Sequence, residues 1–328
     1  MTIPIGLPAR GSLLTAGLGL TFVLCWSSGF IGAKFGGADA SVFTLLLWRF
    51  LPLGLIVAPL LLALTRSAAR PAPGEYLRQV VVGLLSQSSY VLTAYAAIAL
   101  GVSTGTTALV DGLQPLVIAA LAGPILGVVV GRRQWLGLLV GLAGVVVVAV
   151  ADAGDPSTTA PSWAYLIPFA GMLCMVAATF VDRRAERSMP PLRALAIHLM
   201  ASAVVFAVLA VATGTVVPPA SVRFWLAVGW LIVLPTFGGY ALYWLLLRRI
   251  GVTRVNALMF LVPPVTTGWG VALYGEPFTV FTGVGLLLTV VATGLVNLRR
   301  EPAAGSPPRP LEAAGCAPSA PDGIRTHT

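Results

Sequence analysis

Ten apolar runs, each close to the length that spans a lipid bilayer and each bounded by charge, proline or glycine, constrain this chain more than any motif in it. They cover roughly 13–33, 41–64, 76–99, 103–123, 134–151, 163–182, 193–213, 223–247, 254–274 and 278–298. About 20 apolar residues in helical form cross the hydrocarbon core, and inside it only structures that satisfy their own backbone hydrogen bonds are viable. The run after Arg10 begins like a signal peptide, but Leu24 precedes Cys25, Trp26 follows, and apolar residues continue to Ala33. It is therefore read as the first span.

Composition agrees. Only 9% of the 328 residues are charged and mean hydropathy is +0.93, whereas soluble domains carry about 25% charged residues. The +9 formal charge does not indicate nucleic acid, because the basic residues sit in short runs between the apolar segments. With the N-terminus inside, the inner segments hold fifteen Arg residues, from Arg10 through Arg299 and Arg300, against Lys34 and Arg223 outside. That split is what the positive-inside rule predicts for ten spans with both ends cytoplasmic. The expected class is an all-α integral membrane protein in the inner or plasma membrane.

Enzyme chemistry finds little to use. Three cysteines and two histidines make no metal-ligand spacing, and no phosphate-binding glycine loop is present, so neither a cofactor nor bound nucleotide is expected. Any work must draw on a gradient, with protons as a candidate coupling ion. The partners expected are the lipid bilayer and a small-molecule substrate; monomer and homodimer both stay open.

Polar residues inside the spans locate the candidate site. Thr104, Thr107, Asp111 and Gln114 form one helical stripe, with Pro115 beside it to bend the helix and free a carbonyl. Asp111 either lines a transport path or locks helices together. Arg49 lies at a comparable depth, and its simplest counter-ion is Asp111; snorkelling, or capping of carbonyls near Pro52, is the alternative. In the third span Gln87, Tyr90 and Ala94 share a face, mirrored in the eighth by Tyr240, Tyr243 and Trp244. Asn256, Phe260, Pro263 and Thr267 repeat the stripe in the ninth, where Pro263 and Pro264 are the matching hinge. Trp26 and His198 complete the set, with His198 expected to be neutral and hydrogen-bonded. Lys34 is expected to snorkel outward, and Glu276 to be an exposed turn residue.

The chain also repeats at an offset near 149 residues. Cys25 to Lys34 lies over Cys174 to Arg183, Arg49 over His198, Tyr90 over Tyr240, Gly101-Val102-Ser103 over Gly251-Val252-Thr253, and Pro115 over Pro263. Each half holds five helices, an odd number, so the halves must lie in opposite orientations. Inverted repeats with proline-interrupted helices in matching places are a signature of secondary transporters. The expected organisation is a short N-terminal segment 1–12, a first repeat 13–151, a linker 152–162, a second repeat 163–298, and a tail 299–328 that is proline-rich and without apolar period.

Trp26-Ser27-Ser28 with Lys34, Trp48-Arg49-Phe50, the proline-centred spans at Pro115 and Pro263-Pro264, and Tyr274-Gly275-Glu276-Pro277 together resemble the EamA family of the drug/metabolite transporter superfamily. The resemblance covers about residues 13–298. It implies a ten-helix inner-membrane permease, usually an exporter of amino acids, related metabolites or toxic compounds; an importer of the same fold is the closest alternative, ahead of a non-transporting membrane protein or a lipid-modifying membrane enzyme. One departure is Gly127-Val128-Val129 where members often carry an acidic end to the fourth span, so the acidic cap occurs only at Glu276.

The topology is directly testable. Reporter fusions after residues 70, 187 and 300 should read cytoplasmic, and fusions after 155 and 276 outside; one reversed internal fusion overturns the ten-span arrangement.

Overall fold

The computed structural model describes residues 10–66, 71–126, 131–183 and 189–297, without the side chains of 10–12, 126, 252, 253, 256, 293, 296 and 297. The proline-rich tail and Gly127-Val128-Val129 lie outside the described residues. All regular structure among those described is helical. In chain order the long segments are α1 (Leu13–Gly37), α2 (Val42–Leu64), α3 (Pro73–Ala99), α4 (Thr104–Ile125), α5 (Arg132–Ala153), α6 (Ser162–Arg183), α7 (Pro191–Ala212), α8 (Val222–Gly251) and α9 (Ala257–Tyr274), followed by α10 (Val280–Asn297). The first nine are long and apolar enough to cross a membrane, and α10 adds a shorter apolar stretch, Val280–Ala292. This is an all-α membrane fold of the expected kind.

The joints between helices show why the sequence folds this way. Gly101 (φ 101°), between α3 and α4, and Gly251 (φ 80°), at the end of α8, both adopt the left-handed backbone, which costs residues with a Cβ far more than glycine. They occupy matching places in the two repeats. Ser103 then opens α4 in extended geometry, its side chain accepting the amide of Thr106 at 3.1 Å, a standard N-cap. Gly275 (φ 64°, ψ 27°) closes α9 in the left-handed helical form. The helix through Gly239–Met259 runs past Arg248 and Arg249, so the gap between the apolar runs 223–247 and 254–274 narrows to a kink at Gly251.

Prolines break the spans where a bend was expected. α4 consists of Thr104–Asp111 and Gln114–Leu126, parted at Gly112-Leu113, with Pro115 in the first turn of the second piece. α9 turns at Phe260-Leu261 and restarts at Val262 with Pro263 and Pro264 in its first turn. π-helical turns occur at Leu53–Val57 after Pro52, at Leu84–Ser89 in α3, and at Ile232–Gly238 around Pro235 in α8. The latter two begin 148 residues apart, at matching places in the repeats. Single π turns inside α-helices widen the coil and are frequent at functional sites.

Lipid is as apolar as leucine, so packing rather than water exclusion holds such helices together. Fully buried Phe22, Phe50, Phe206 and Phe224 join α1, α2, α7 and α8 in one core cluster, while Leu109, Leu113, Leu116, Val145 and Val148 pack α4 against α5. Leu55, Val150 and Val211 point away from the bundle. α5 and α10 meet backbone to backbone at two glycines. A Cβ on Gly285 would lie 2.6 Å from the Gly144 carbonyl oxygen and 2.2 Å from Val148 Cγ2, and one on Gly144 would lie 2.8 Å from the Gly285 oxygen.

Gly285→Val should accordingly force α5 and α10 apart and lower the yield of monodisperse, detergent-extracted protein severalfold. Gly294→Ala, where a Cβ meets nothing within 4 Å, should leave the yield unchanged. Equal yields would remove this contact as a determinant of the fold.

Candidate functional site

A cavity of about 80 Å3 lies inside the bundle, walled by α1, α2, α3, α6 and α8. At roughly 10–15 Å3 per water it has room for several waters or a small solute fragment. Trp26 and Phe30 come from α1, Arg49 from α2, Gln87, Tyr90 and Tyr95 from α3, Met175 from α6, and Pro235 and Tyr240 from α8. Both matched π turns supply wall residues, Gln87 from one and Pro235 from the other. Trp26 and Met175 are repeat mates, as are Tyr90 and Tyr240.

Each polar wall residue has a specific bond. Tyr240 Oη donates to Gln87 Oε1 at 2.8 Å, and Tyr90 Oη donates to Asp111 Oδ2 at 2.8 Å. Arg49 Nη1 donates to Tyr95 Oη at 2.5 Å and Nη2 to Thr236 Oγ1 at 3.3 Å. Thr236 gives its own proton to the Leu231 carbonyl at 2.9 Å, which leaves its oxygen as an acceptor for the guanidinium. The Trp26 and Tyr240 rings meet edge to face at 6.2 Å, a favoured aromatic geometry.

The expected Arg49–Asp111 pair does not form. α3 stands between the two charges, with Tyr90 taken by Asp111 and Tyr95, five residues on, by Arg49. Equal depth in the sequence could not show which helix would intervene. Asp111 thus sits one hydroxyl behind the cavity wall, and its Oδ1 is buried without a partner. Gln114 starts the second piece of α4, outside the cavity lining. Trp244 is 37% exposed and packs edge-on against Tyr243, away from the cavity. Asn256 lies on the helix Gly239–Met259, and its side chain is outside the description. His198 Nε2 meets Gln79 Oε1 at 2.8 Å, and Gln79 Nε2 donates to Asp182 Oδ1 at 2.8 Å, so His198 belongs to a separate α7–α3–α6 link. The hinge prolines Pro115, Pro263 and Pro264 sit at the helix breaks.

One other expectation is overturned at the opposite end of α4. Glu276 is not an exposed turn residue: it is 8% exposed, and it accepts from Lys34 Nζ at 2.7 Å, from the Thr104 amide at 3.0 and 3.1 Å, and from Thr104 Oγ1 at 2.8 Å. Lys34 pairs with this carboxylate while its own side chain stays 35% exposed. Asp152 Oδ2 accepts from the Ser103 amide and from Thr106 Oγ1, both at 3.1 Å. Free amides and the helix dipole at an N-terminus favour carboxylates. Gly270 is required beside them, since a Cβ there would lie 2.2 Å from Glu276 Oε2.

Sequence reasoning missed both acceptors of Arg49, Tyr95 in the wall and Thr236 beside it, as well as the wall residues Phe30, Met175 and Pro235. The available signal for the two acceptors was Arg49 itself, because a buried guanidinium demands acceptors at its own depth.

The model of the EamA-like transporter family matches residues 13–150 and again 162–298. The chain belongs to the EamA-like transporter family. It is accordingly a multi-pass membrane transporter. Among relatives of this EamA-like protein, the uncharacterized transporter YyaM of Bacillus subtilis (strain 168) is 27% identical over 198 residues, 58% of this chain and 65% of YyaM. The uncharacterized transporter sll0355 of Synechocystis sp. (strain ATCC 27184 / PCC 6803 / Kazusa) is 21% identical over 308 residues, 86% of this chain and 90% of its own length. The matched stretch thus spans about two thirds of YyaM and most of sll0355. A solved structure titled "Crystal structure of protein" superposes with a TM-score of 0.61 at 25% identity, over 88% of this chain and 98% of that one.

The separate surroundings of Asp111 and Arg49 make a prediction opposite to that of a buried pair, whose breakage typically costs about 3–5 kcal/mol. Asp111→Asn keeps an acceptor for Tyr90 and removes a charge with an unpartnered oxygen, so folded yield and melting temperature should match or exceed wild type. Adding Arg49→Gln should change stability additively, to within about 0.5 kcal/mol. Rescue of a destabilised Asp111→Asn by the second change would restore the pair.

Proposed function

We propose that the protein is a secondary-active inner-membrane exporter of amino acids or related small metabolites and toxic compounds. It would work by alternating access, with both termini cytoplasmic and protons as the coupling ion. The observation that carries this reading is the pairing across the cavity: Trp26 faces the same space as its repeat mate Met175, and Tyr90 the same space as Tyr240. A site built from both halves of an inverted repeat is bounded by two bodies that can rock against each other, which exposes it to one side and then the other. The broken spans at Gly112-Leu113 and Phe260-Leu261, with their prolines, supply places where such motion can bend the helices. We take the two moving bodies to be residues 13–151 and 163–298, joined by 152–162. An aromatic wall with a few fixed polar groups suits a small amphipathic solute.

Cells overproducing the protein, challenged with a panel of amino acids, nucleobases and cationic drugs, should gain resistance to one chemical class and retain less of it. Gln87→Ala, which strips the partner from Tyr240, should lower that efflux about tenfold at unchanged protein level, equivalent to the loss of about 1.4 kcal/mol. Faster accumulation instead of efflux would make the protein an importer; no change in either direction for any class would remove the transport reading for these solutes.

A further inference from the structure

Arg49 is a cation in the cavity wall that has no counter-ion among the described residues. It is 7% exposed, and a guanidinium does not lose its proton in proteins. Its hydrogen-bond partners are the neutral oxygens of Tyr95 and Thr236, its Nε is buried without a partner, and its flat faces lie near the rings of Phe50 and Tyr95 at 5.1 and 5.6 Å. The buried carboxylates among the described residues are committed elsewhere: Asp111 to Tyr90, Glu276 to Lys34 and Thr104, Asp152 to Ser103 and Thr106. No carboxylate lines the cavity among the described residues.

We propose that Arg49 is the anion subsite of this cavity and that the solute it recognises is a small carboxylate with an apolar or aromatic body, for which a free ammonium group is not required. The proposal rests on the transport reading above and adds the charge and shape of the solute. Arg49 has five N–H donors and spends two on neutral oxygens, so the Nε–H and a neighbouring Nη–H remain for the two oxygens of a carboxylate. Because Arg49 is itself buried, attraction between that anion and the guanidinium is stronger than in bulk solvent. Trp26, Phe30, Tyr240 and Met175 supply the apolar remainder of the wall. An ammonium group, by contrast, finds no carboxylate there, because Asp111 lies behind the Tyr90 hydroxyl.

Calorimetric titration of the purified full-length chain with four ligands of nearly equal shape separates these features: 3-phenylpropanoate, its primary amide, L-phenylalanine and phenethylamine. 3-Phenylpropanoate should bind at least tenfold more tightly than its amide, L-phenylalanine no more tightly than 3-phenylpropanoate, and phenethylamine not at all. Arg49→Gln should abolish the difference between acid and amide, and Arg49→Lys should keep part of it. Equal binding of amide and acid, tighter binding of the amine, no binding by any of the four, or an acid preference that survives in Arg49→Gln would each overturn the subsite. If Arg49→Gln does not fold, the wild-type series and Arg49→Lys still decide it: a residue that only ties α2 to α3 and α8 would alter stability without altering the ratio of acid to amide. Flux in proteoliposomes distinguishes the two levels. Binding of 3-phenylpropanoate without flux would remove transport of that solute and leave the subsite, whereas flux of phenethylamine without binding of the acid would do the reverse.

Discussion

A backbone amide inside a membrane has no water to turn to, and the architecture follows from how each one is satisfied. Continuous helix does this for most of the chain. The demand returns wherever a helix starts or breaks, and there side chains from other elements must arrive. The start of α4 is the clearest case: the amides of Ser103 and Thr104 meet Asp152 from the end of α5 and Glu276 from the turn after α9. Proline and glycine set where the demand falls, at Gly112-Leu113 and Phe260-Leu261 as much as at the left-handed Gly101, Gly251 and Gly275.

Charge is distributed under the same scarcity. Lys34 and Glu276 satisfy each other while the carboxylate also caps a helix. Gln79 carries the link from His198 to the Asp182 carboxylate through its own amide, one bond on each side. Asp111 has a phenol and Arg49 a phenol and a threonine. Because α3 provides both phenols, at Tyr90 and Tyr95, it insulates the two midspan charges from one another. The same helix presents Gln87 to Tyr240, so one element of the first half orders most of the polar wall.

Much of this was legible from residue order. Span length gave the helices, the 149-residue echo gave the paired positions, and Pro115 and Pro263 marked the breaks. Helical periodicity pointed to Gln87 and Tyr90 and the repeat to Tyr90 and Tyr240, and all three line the cavity together with Trp26. What stayed illegible were facts of azimuth and of neighbour. Depth along a span put Arg49 level with Asp111 but could not reveal the helix between them. Trp244 shared a nominal face with Tyr240, yet that helix begins at a π turn, and the ring ends against Tyr243 on the outer side. Glu276 read as a turn residue because its partners lie 172 and 242 residues away, beyond the reach of any local pattern.

Glu276 also has a mechanical meaning. A single carboxylate holds the end of α1 through Lys34, the start of α4 through Thr104, and the turn that follows α9 through its own backbone. The three are coupled through it, since releasing Lys34 or Thr104 strips a partner from a buried anion. One side chain therefore ties three elements that lie far apart in the chain, as a rivet joins separate plates.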